Sequence, residues 1–129
     1  MSVRGVGIDV AAIDRFERIL ERHGGRFVDR ICRPGEMRQR HPRGRAQHLA
    51  GLFAAKEAVL KALGTGWDQG LGFRDVEVTR EAGGRPAILL HGAAARRARE
   101  LGTLRVHVSI THDRGIAAAV AVLEGEAGA

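Results

Sequence analysis

The amino-acid sequence predicts an α+β domain in which an antiparallel sheet packs on one long buried helix. Three observations predict it. Leu49–Leu63 reads LAGLFAAKEAVLKAL and carries charge only at Lys56, Glu57 and Lys61. At about 100° per residue, Leu49, Leu52, Phe53, Val59, Leu60 and Leu63 fill one arc and small residues fill the other; a helix that is apolar all round is buried. Val106, Val108 and Ile110 alternate with His107, Ser109 and Thr111, the period of a half-buried strand. Turn-forming runs, Glu81–Pro86 and Asp113–Gly115, separate short apolar segments, as in antiparallel neighbours.

The elements follow in order. Val3–Ile8 is a short apolar strand ending at Asp9, with Gly5 and Gly7 suiting a tight strand. Ile13–Arg22 is an amphipathic helix, with Ile13, Phe16, Ile19 and Leu20 at helical spacing and Gly24-Gly25 as its stop. Phe27–Cys32 adds one or two turns, closed by Pro34-Gly35. Arg38–Arg45 is polar, basic and interrupted by Pro42, hence a loop. The buried helix ends at Gly64, a residue suited to its C-terminal cap, and a glycine-rich loop carries Trp67. Val76–Thr79 and Ala87–Leu90 are strands, Ala93–Leu101 is a helix ended by Gly102, and Ile116–Leu123 is a final strand. Residues 1–129 form one domain, with 125–129 a flexible tail.

The bulk numbers bound the function. The chain has 129 residues, enough for one domain with a real core. Its net charge is +6 and its sequence pI about 11.1, so the surface favours an anionic partner. Aromatic residues make up only 4% of the chain, which argues against stacking on single-stranded nucleic acid. Cys32 is the single cysteine, so no internal disulfide forms, and a reducing, cytoplasmic setting is expected. No apolar run is long enough to span a bilayer. Neither nucleic acid nor membrane is an expected partner.

Candidate chemistry sits in four places. Asp9 follows the first strand and Glu57 lies on the buried helix; one or two carboxylates plus waters and phosphate oxygens are what Mg²⁺ prefers. Asp9 is equally compatible with a turn or helix-cap role. The charges on the buried helix fit either a site or an i,i+4 Glu57–Lys61 ion pair with Lys56 snorkelling. His112 falls at a strand tip beside Asp113, after Ser109 and Thr111, which suits phosphate binding or proton transfer. Arg15, Arg18 and Arg22 form a stripe on the first helix, with Arg26 following. A solvated face is the plain alternative.

Taken together, Gly7-Ile8-Asp9, Phe53-Ala-Ala-Lys-Glu57-Ala-Val-Leu-Lys61-Ala and Val108-Ser-Ile-Thr-His112 resemble the three signatures of the holo-acyl-carrier-protein synthases, small single-domain phosphopantetheinyl transferases. Gly64-Thr-Gly66 and Gly84-Arg-Pro86 also match, and the resemblance runs from about Gly5 to Glu124. It implies transfer of 4′-phosphopantetheine from coenzyme A to a serine of an acidic apo acyl carrier protein, releasing 3′,5′-ADP. It implies Mg²⁺ on Asp9 and Glu57, and Lys61 near the pyrophosphate. His112, Ser109, Gly64 and Thr65 would lie on coenzyme A, with Gly84, Arg85 and Pro86 on the adenosine and 3′-phosphate. Asp113 would serve as a base or orient His112. It further implies a homotrimer with active sites between subunits, the carrier docking on the first helix through Arg15, Arg18, Arg22 and Arg26. One departure is Leu52, where many members carry arginine; Arg45 or Lys56 would then supply the missing charge to the nucleotide.

A basic nucleic-acid module explains the charge but not a glutamate and two lysines in an apolar helix. A scaffold without chemistry does not explain why Asp9, Glu57, Lys61 and His112 are all present.

Overall fold

The computed structural model describes residues 1–37, 42–64 and 72–126. The chain opens with strand β1 (Ser2–Ala12), followed by helices α1 (Ile13–His23), α2 (Gly25–Ile31) and α3 (Pro42–Leu63). A 3-10 turn (Phe73–Asp75) leads into β2 (Val76–Arg80) and β3 (Pro86–Leu90). Helix α4 (Gly92–Glu100) and the strands β4 (Thr103–Asp113) and β5 (Ile116–Gly125) complete it. The expected single sheet is two. β1, β5 and β4 form a three-stranded antiparallel sheet in that order, and β2 and β3 form a separate hairpin.

Several boundaries move. β1 does not stop before Asp9 but runs on to Ala12, pairing Asp9 with Ala119. The expected loop gives way to α3 from Pro42, so Arg45 is helical; proline is tolerated in a first helical turn because its missing N–H has no partner there. Asp113 is the last residue of β4, paired with Ile116. The turn is Arg114-Gly115, with φ of 49° and 80°, the left-handed pair a two-residue hairpin demands. Gly125 is no frayed tail: it is buried and pairs with Ser2 and Thr103. Arg38–His41, Thr65, Trp67 and 127–129 lie outside the described residues.

Helix α3 is the centre of the core. Ala46, Leu49, Ala50, Leu52, Ala54, Ala55, Val59, Leu60 and Leu63 are all at most 5% exposed. Between Ala46 and Leu63 the positions that are not buried are Gln47, His48, Phe53, Glu57 and Lys61, and all but His48 fall within one arc of about 120°. The helix is therefore wrapped on nearly every side, as its composition predicts. β1 crosses it closely. A Cβ on Gly7 would stand 1.8 Å from the Ala58 carbonyl oxygen, and one on Gly5 would stand 2.1 Å from that of Ala62. We therefore expect Gly7→Ala to push β1 off α3 and cost about 1–3 kcal/mol, the usual range for overpacking. An unchanged urea midpoint would refute this close-approach reading.

The three-stranded sheet has two unlike faces. Ala11, Ala117, Ala119, Ala121 and Leu123 point to α3 and are buried. The other face leaves Val6, Ile8, Val10, Ile116 and Val120 between 37% and 64% exposed. Phe16, fully buried on α1, packs at 5.1 Å from Phe53 and 6.2 Å from Phe27, which ties α1 and α2 to the core. Cys32 is buried, and burial raises its thiol to a pKa of about 11. No helix among the described residues is long and apolar enough to cross a membrane.

Candidate active site

Strand β1 and helix α3 bring three of the expected residues together. Asp9 points from β1 toward α3 on the face shared with Gly7 and Ala11, and Lys61 Nζ donates to Asp9 Oδ1 at 2.9 Å and to the Ile8 carbonyl at 3.1 Å. Glu57 stands one turn before Lys61 and is half-buried. Its carboxyl is raised above the ordinary glutamate range, first by burial and then by the negative charge of Asp9, with Lys61 pulling the other way. Lys61, largely open to solvent, is raised in turn by its hydrogen bond to Asp9. The expected i,i+4 partner of Lys61 is thus displaced by Asp9, a residue 52 positions away.

Two carboxylates that repel one another beside a lysine ammonium form a place for a cation. Among the described residues no three His, Cys, Asp or Glu converge as a closed metal cage. The pair fits Mg²⁺, which keeps waters and takes substrate phosphate oxygens, better than a metal needing an all-protein shell.

His112 lies near the end of β4 on the same face as Asp9, one cross-strand row further along, where His112 pairs with Ala117 and Ala117 with Ala11. Gln47 Nε2 lies 3.1 Å from His112 Nε2. An amide nitrogen can only donate, so this contact selects the tautomer with its proton on Nδ1. A cleft beside it is walled by Gln47, His48, Leu52, Ile110, His112 and Arg80.

Other expectations fail for definite reasons. Lys56 neither snorkels nor faces a ligand. It is 0% exposed and donates to Glu36 at 3.0 Å and to the carbonyls of Phe73 and Val76. Glu36, itself 4% exposed, also accepts from the backbone N–H of Arg33 and Val78 at 2.6 and 2.9 Å. Burial lowers the Lys56 ammonium, and Glu36 opposes that shift. Lys56 is half of a buried structural ion pair and has no surface from which to reach coenzyme A, contrary to its expected role. Arg45 lines a different groove, with Glu17, Leu20 and Glu21 of α1. Ser109 and Asp113 point to the face opposite His112, because successive strand residues alternate; neither adjoins the histidine as expected. Gly84 sits in the β2–β3 turn with φ 87°, while Arg85 and Pro86 line a groove with Leu104, Arg105 and His107. Gly64 caps α3 with φ 78°.

A family model described as the 4′-phosphopantetheinyl transferase superfamily matches residues 5–121. The chain belongs to this superfamily. Among the phosphopantetheinyl transferases it is similar to the holo-acyl-carrier-protein synthase of Solidesulfovibrio magneticus, 54% identical over 95% of this chain and 99% of that protein. Two crystal structures of holo-acyl-carrier-protein synthases share the fold. The one from Neisseria meningitidis has a TM-score of 0.84 at 31% identity, covering 95% of this chain and 99% of that one. The one from Helicobacter pylori, in complex with coenzyme A, has a TM-score of 0.80 at 31% identity, covering 92% and 99%.

Sequence reasoning about this phosphopantetheinyl transferase missed three residues: Glu36, Gln47 and Arg80. Glu36 follows Pro34-Gly35 and carries no local sign of its burial. Gln47 faces His112 only because β4 returns beside α3. Arg80 was legible in part, since it continues the face of Val76 and Val78, both buried, two residues beyond the core's edge. On the basic face, Arg15, Arg18, Arg22 and Arg26 are exposed. Arg15 lies 5.6 Å from the Phe16 and Phe53 ring centroids, and Arg18 pairs with Asp14 at 3.5 Å. Arg26 belongs to α2, where it lines a groove with Ile19, His23, Phe27 and Arg30.

Proposed function

We propose that this chain is a holo-acyl-carrier-protein synthase. It transfers 4′-phosphopantetheine from coenzyme A to a serine of apo acyl carrier protein and releases 3′,5′-ADP. The observation that carries the reading is the Asp9–Lys61–Glu57 cluster in a chain 54% identical to a named synthase over nearly its full length. In this reaction the serine hydroxyl attacks the pyrophosphate phosphorus that bears the pantetheine arm. The bond to the nucleotide oxygen breaks, and the serine proton leaves. Such transfers need positioning and charge neutralisation more than covalent help.

In this reading Asp9 and Glu57 hold Mg²⁺, which when bound neutralises charge on the pyrophosphate oxygens. Lys61 reaches the same oxygens from a solvent-facing position. His112, hydrogen-bonded to Gln47, offers a ring nitrogen at the edge of the nucleotide cleft. One experiment tests the whole: incubation with coenzyme A, Mg²⁺ and an apo carrier protein, read by intact mass. A phosphopantetheine adduct and equimolar 3′,5′-ADP are expected; neither forming would end the proposal.

We further propose one domain, assembled as a homotrimer with active sites between subunits. The uncovered apolar face of Val6, Ile8, Val10, Ile116 and Val120 supports this, since so large an exposed patch marks an interface. So does the placing of Arg85 and Pro86 in a groove apart from Asp9, where a neighbour's cleft would reach them. Ile8→Lys together with Val120→Lys is expected to yield monomers in light scattering and to abolish most turnover. A fully active wild-type monomer would exclude the trimer.

The carrier is expected to dock on α1 and α2. Arg15, Arg22 and Arg26 present fixed charge to an acidic helix, and attraction of this kind steers the encounter. Reversal of Arg22 to Glu should raise the carrier KM about tenfold, leave coenzyme A binding unchanged, and flatten the salt dependence of wild-type binding. Equal damage to both substrates would return the arginines to a solvated face.

A further inference from the structure

The solvent face of α1 carries two charged stripes of opposite sign. Arg15, Arg18 and Arg22 stand at i, i+3 and i+7, and Asp14, Glu17 and Glu21 repeat that spacing one residue earlier. All six are exposed. At 100° per residue each stripe covers an arc of about 60°, and the apolar positions Ile13, Phe16, Ile19 and Leu20 lie opposite them. Helix stability does not ask for this segregation. Glu17 and Glu21, like Arg18 and Arg22, are equal charges four residues apart, and each such pair is unfavourable. The stripes also differ in what lies beside them. Next to the arginines is the groove of Ile19, His23, Arg26, Phe27 and Arg30, so the positive surface continues onto α2. Next to the acidic stripe is the groove in which Glu17 and Glu21 meet the start of α3. Asp14 is paired with Arg18 at 3.5 Å. Among the described residues no salt bridge reaches Glu17 or Glu21, although Arg45 lines their groove. The positive surface of α1 and α2 therefore has a negative border on the α3 side.

We infer that Glu17 and Glu21 fix where the acidic helix of the carrier protein lies, by repelling it from the α3 side of α1. A carrier helix seated over the arginines and α2 is attracted. One displaced toward α3 brings its carboxylates against the two glutamates, and the like charges exclude that seating. The border removes poses in which the acceptor serine is out of reach of the Asp9–Glu57–Lys61 cluster. Glu17 and Glu21 are positioning residues: they touch neither phosphate nor serine. The inference rests on the proposed transferase reading and its docking surface, and adds the residues that exclude the wrong poses.

The test compares the wild type with Glu17→Gln combined with Glu21→Gln. A control, Glu100→Gln combined with Glu126→Gln, makes the same change in net charge on α4 and after β5. Turnover of apo acyl carrier protein would be measured at saturating coenzyme A, alongside calorimetric titration of a carrier whose acceptor serine is replaced by alanine. Glu17 and Glu21 are exposed, so no loss of thermal midpoint is expected. Misplaced complexes hold the carrier without reacting, so KM and kcat fall together while kcat/KM holds. For the α1 variant the carrier Kd, its KM and kcat should each fall about threefold, the scale of two exposed charges. kcat/KM should stay within about twofold, and the KM for coenzyme A should not change. The control should leave kcat unchanged. Glu17→Lys combined with Glu21→Lys should enlarge each effect, and added salt should shrink it. A lower KM with unchanged kcat would mean that the glutamates only weaken the attraction, and no change in either that they are merely solvated. Both results would overturn the inference, as would equal effects in the control. A wild type that modifies no carrier would overturn the transferase reading, and this inference with it.

Discussion

Replacing Asp9 or Glu57 with alanine is expected to lower turnover at least about a hundredfold at saturating Mg²⁺. The estimate follows from the several kcal/mol that a metal contributes to a charged phosphoryl transition state, each 1.4 kcal/mol being about tenfold. Folding should survive. Alanine suits α3, and the Asp9–Lys61 pair contributes little because the lysine side chain is 52% exposed. A second readout does not need activity. Glu57 is raised by burial and by Asp9, so the folded chain holds its proton more tightly than the unfolded chain. That contribution is full below the unfolded glutamate value and is lost as pH rises through the folded value. On the proposed reading Mg²⁺ would relieve the repulsion between the ionised pair, and should raise the wild-type thermal midpoint at neutral pH by mass action. Neither alanine variant should show that rise. Asp9→Asn, which removes the second cause of the shift, should move the titration of Glu57 in the metal-free chain to lower pH. A variant at either position with near-wild-type turnover would show that the carboxylates do not hold the metal.

Lys56→Met is expected to be the most damaging single substitution for stability, at about 3–5 kcal/mol. It removes one partner of a pair whose side chains are 0% and 1% exposed, which leaves the Glu36 charge buried and uncompensated. The carbonyls of Phe73 and Val76 lose a donor as well. Combining it with Glu36→Gln should recover part of the loss, because the amide carries no charge and its one oxygen still accepts from either the Arg33 or the Val78 N–H. The remainder contains what Lys56 supplies to the two carbonyls together with the loss of one N–H acceptor at position 36. Urea unfolding of both singles and the double closes the cycle. A single-variant loss below about 1 kcal/mol would mean that the pair is not buried in solution.

Much of this protein was legible in its order of residues. Periodicity located most helices and strands to within a few residues, because burial on one face or on all faces must be written as an apolar pattern; α3 is the exception, beginning at Pro42 rather than at the apolar run from Leu49. The expectation that α3 is wrapped on all sides held, and so did the separation of the alternating strand β4 into two faces. That alternation already implied that Ser109 and His112 point apart; expecting both on one ligand set aside a period of two. The glycines at 5 and 7 were legible as special, but their purpose was not. It depends on α3 carbonyls more than fifty residues later.

By itself the sequence determined the family, the antiparallel α+β class, the position of the buried helix and the identity of Asp9, Glu57, Lys61 and His112 as the residues to watch. Only the tertiary structure decided what each charge meets. Lys61 chose Asp9 over the helical neighbour Glu57, and Lys56 was claimed by Glu36, twenty residues away. Arg80, unremarkable in the chain, came to line the same cleft as His112. The physical reason is common to all three. Local pattern sets which face of an element is apolar. The partner of a polar group that lands inside is set by how elements distant in sequence are registered against one another, and the cost of an unpaired buried charge makes that register decisive.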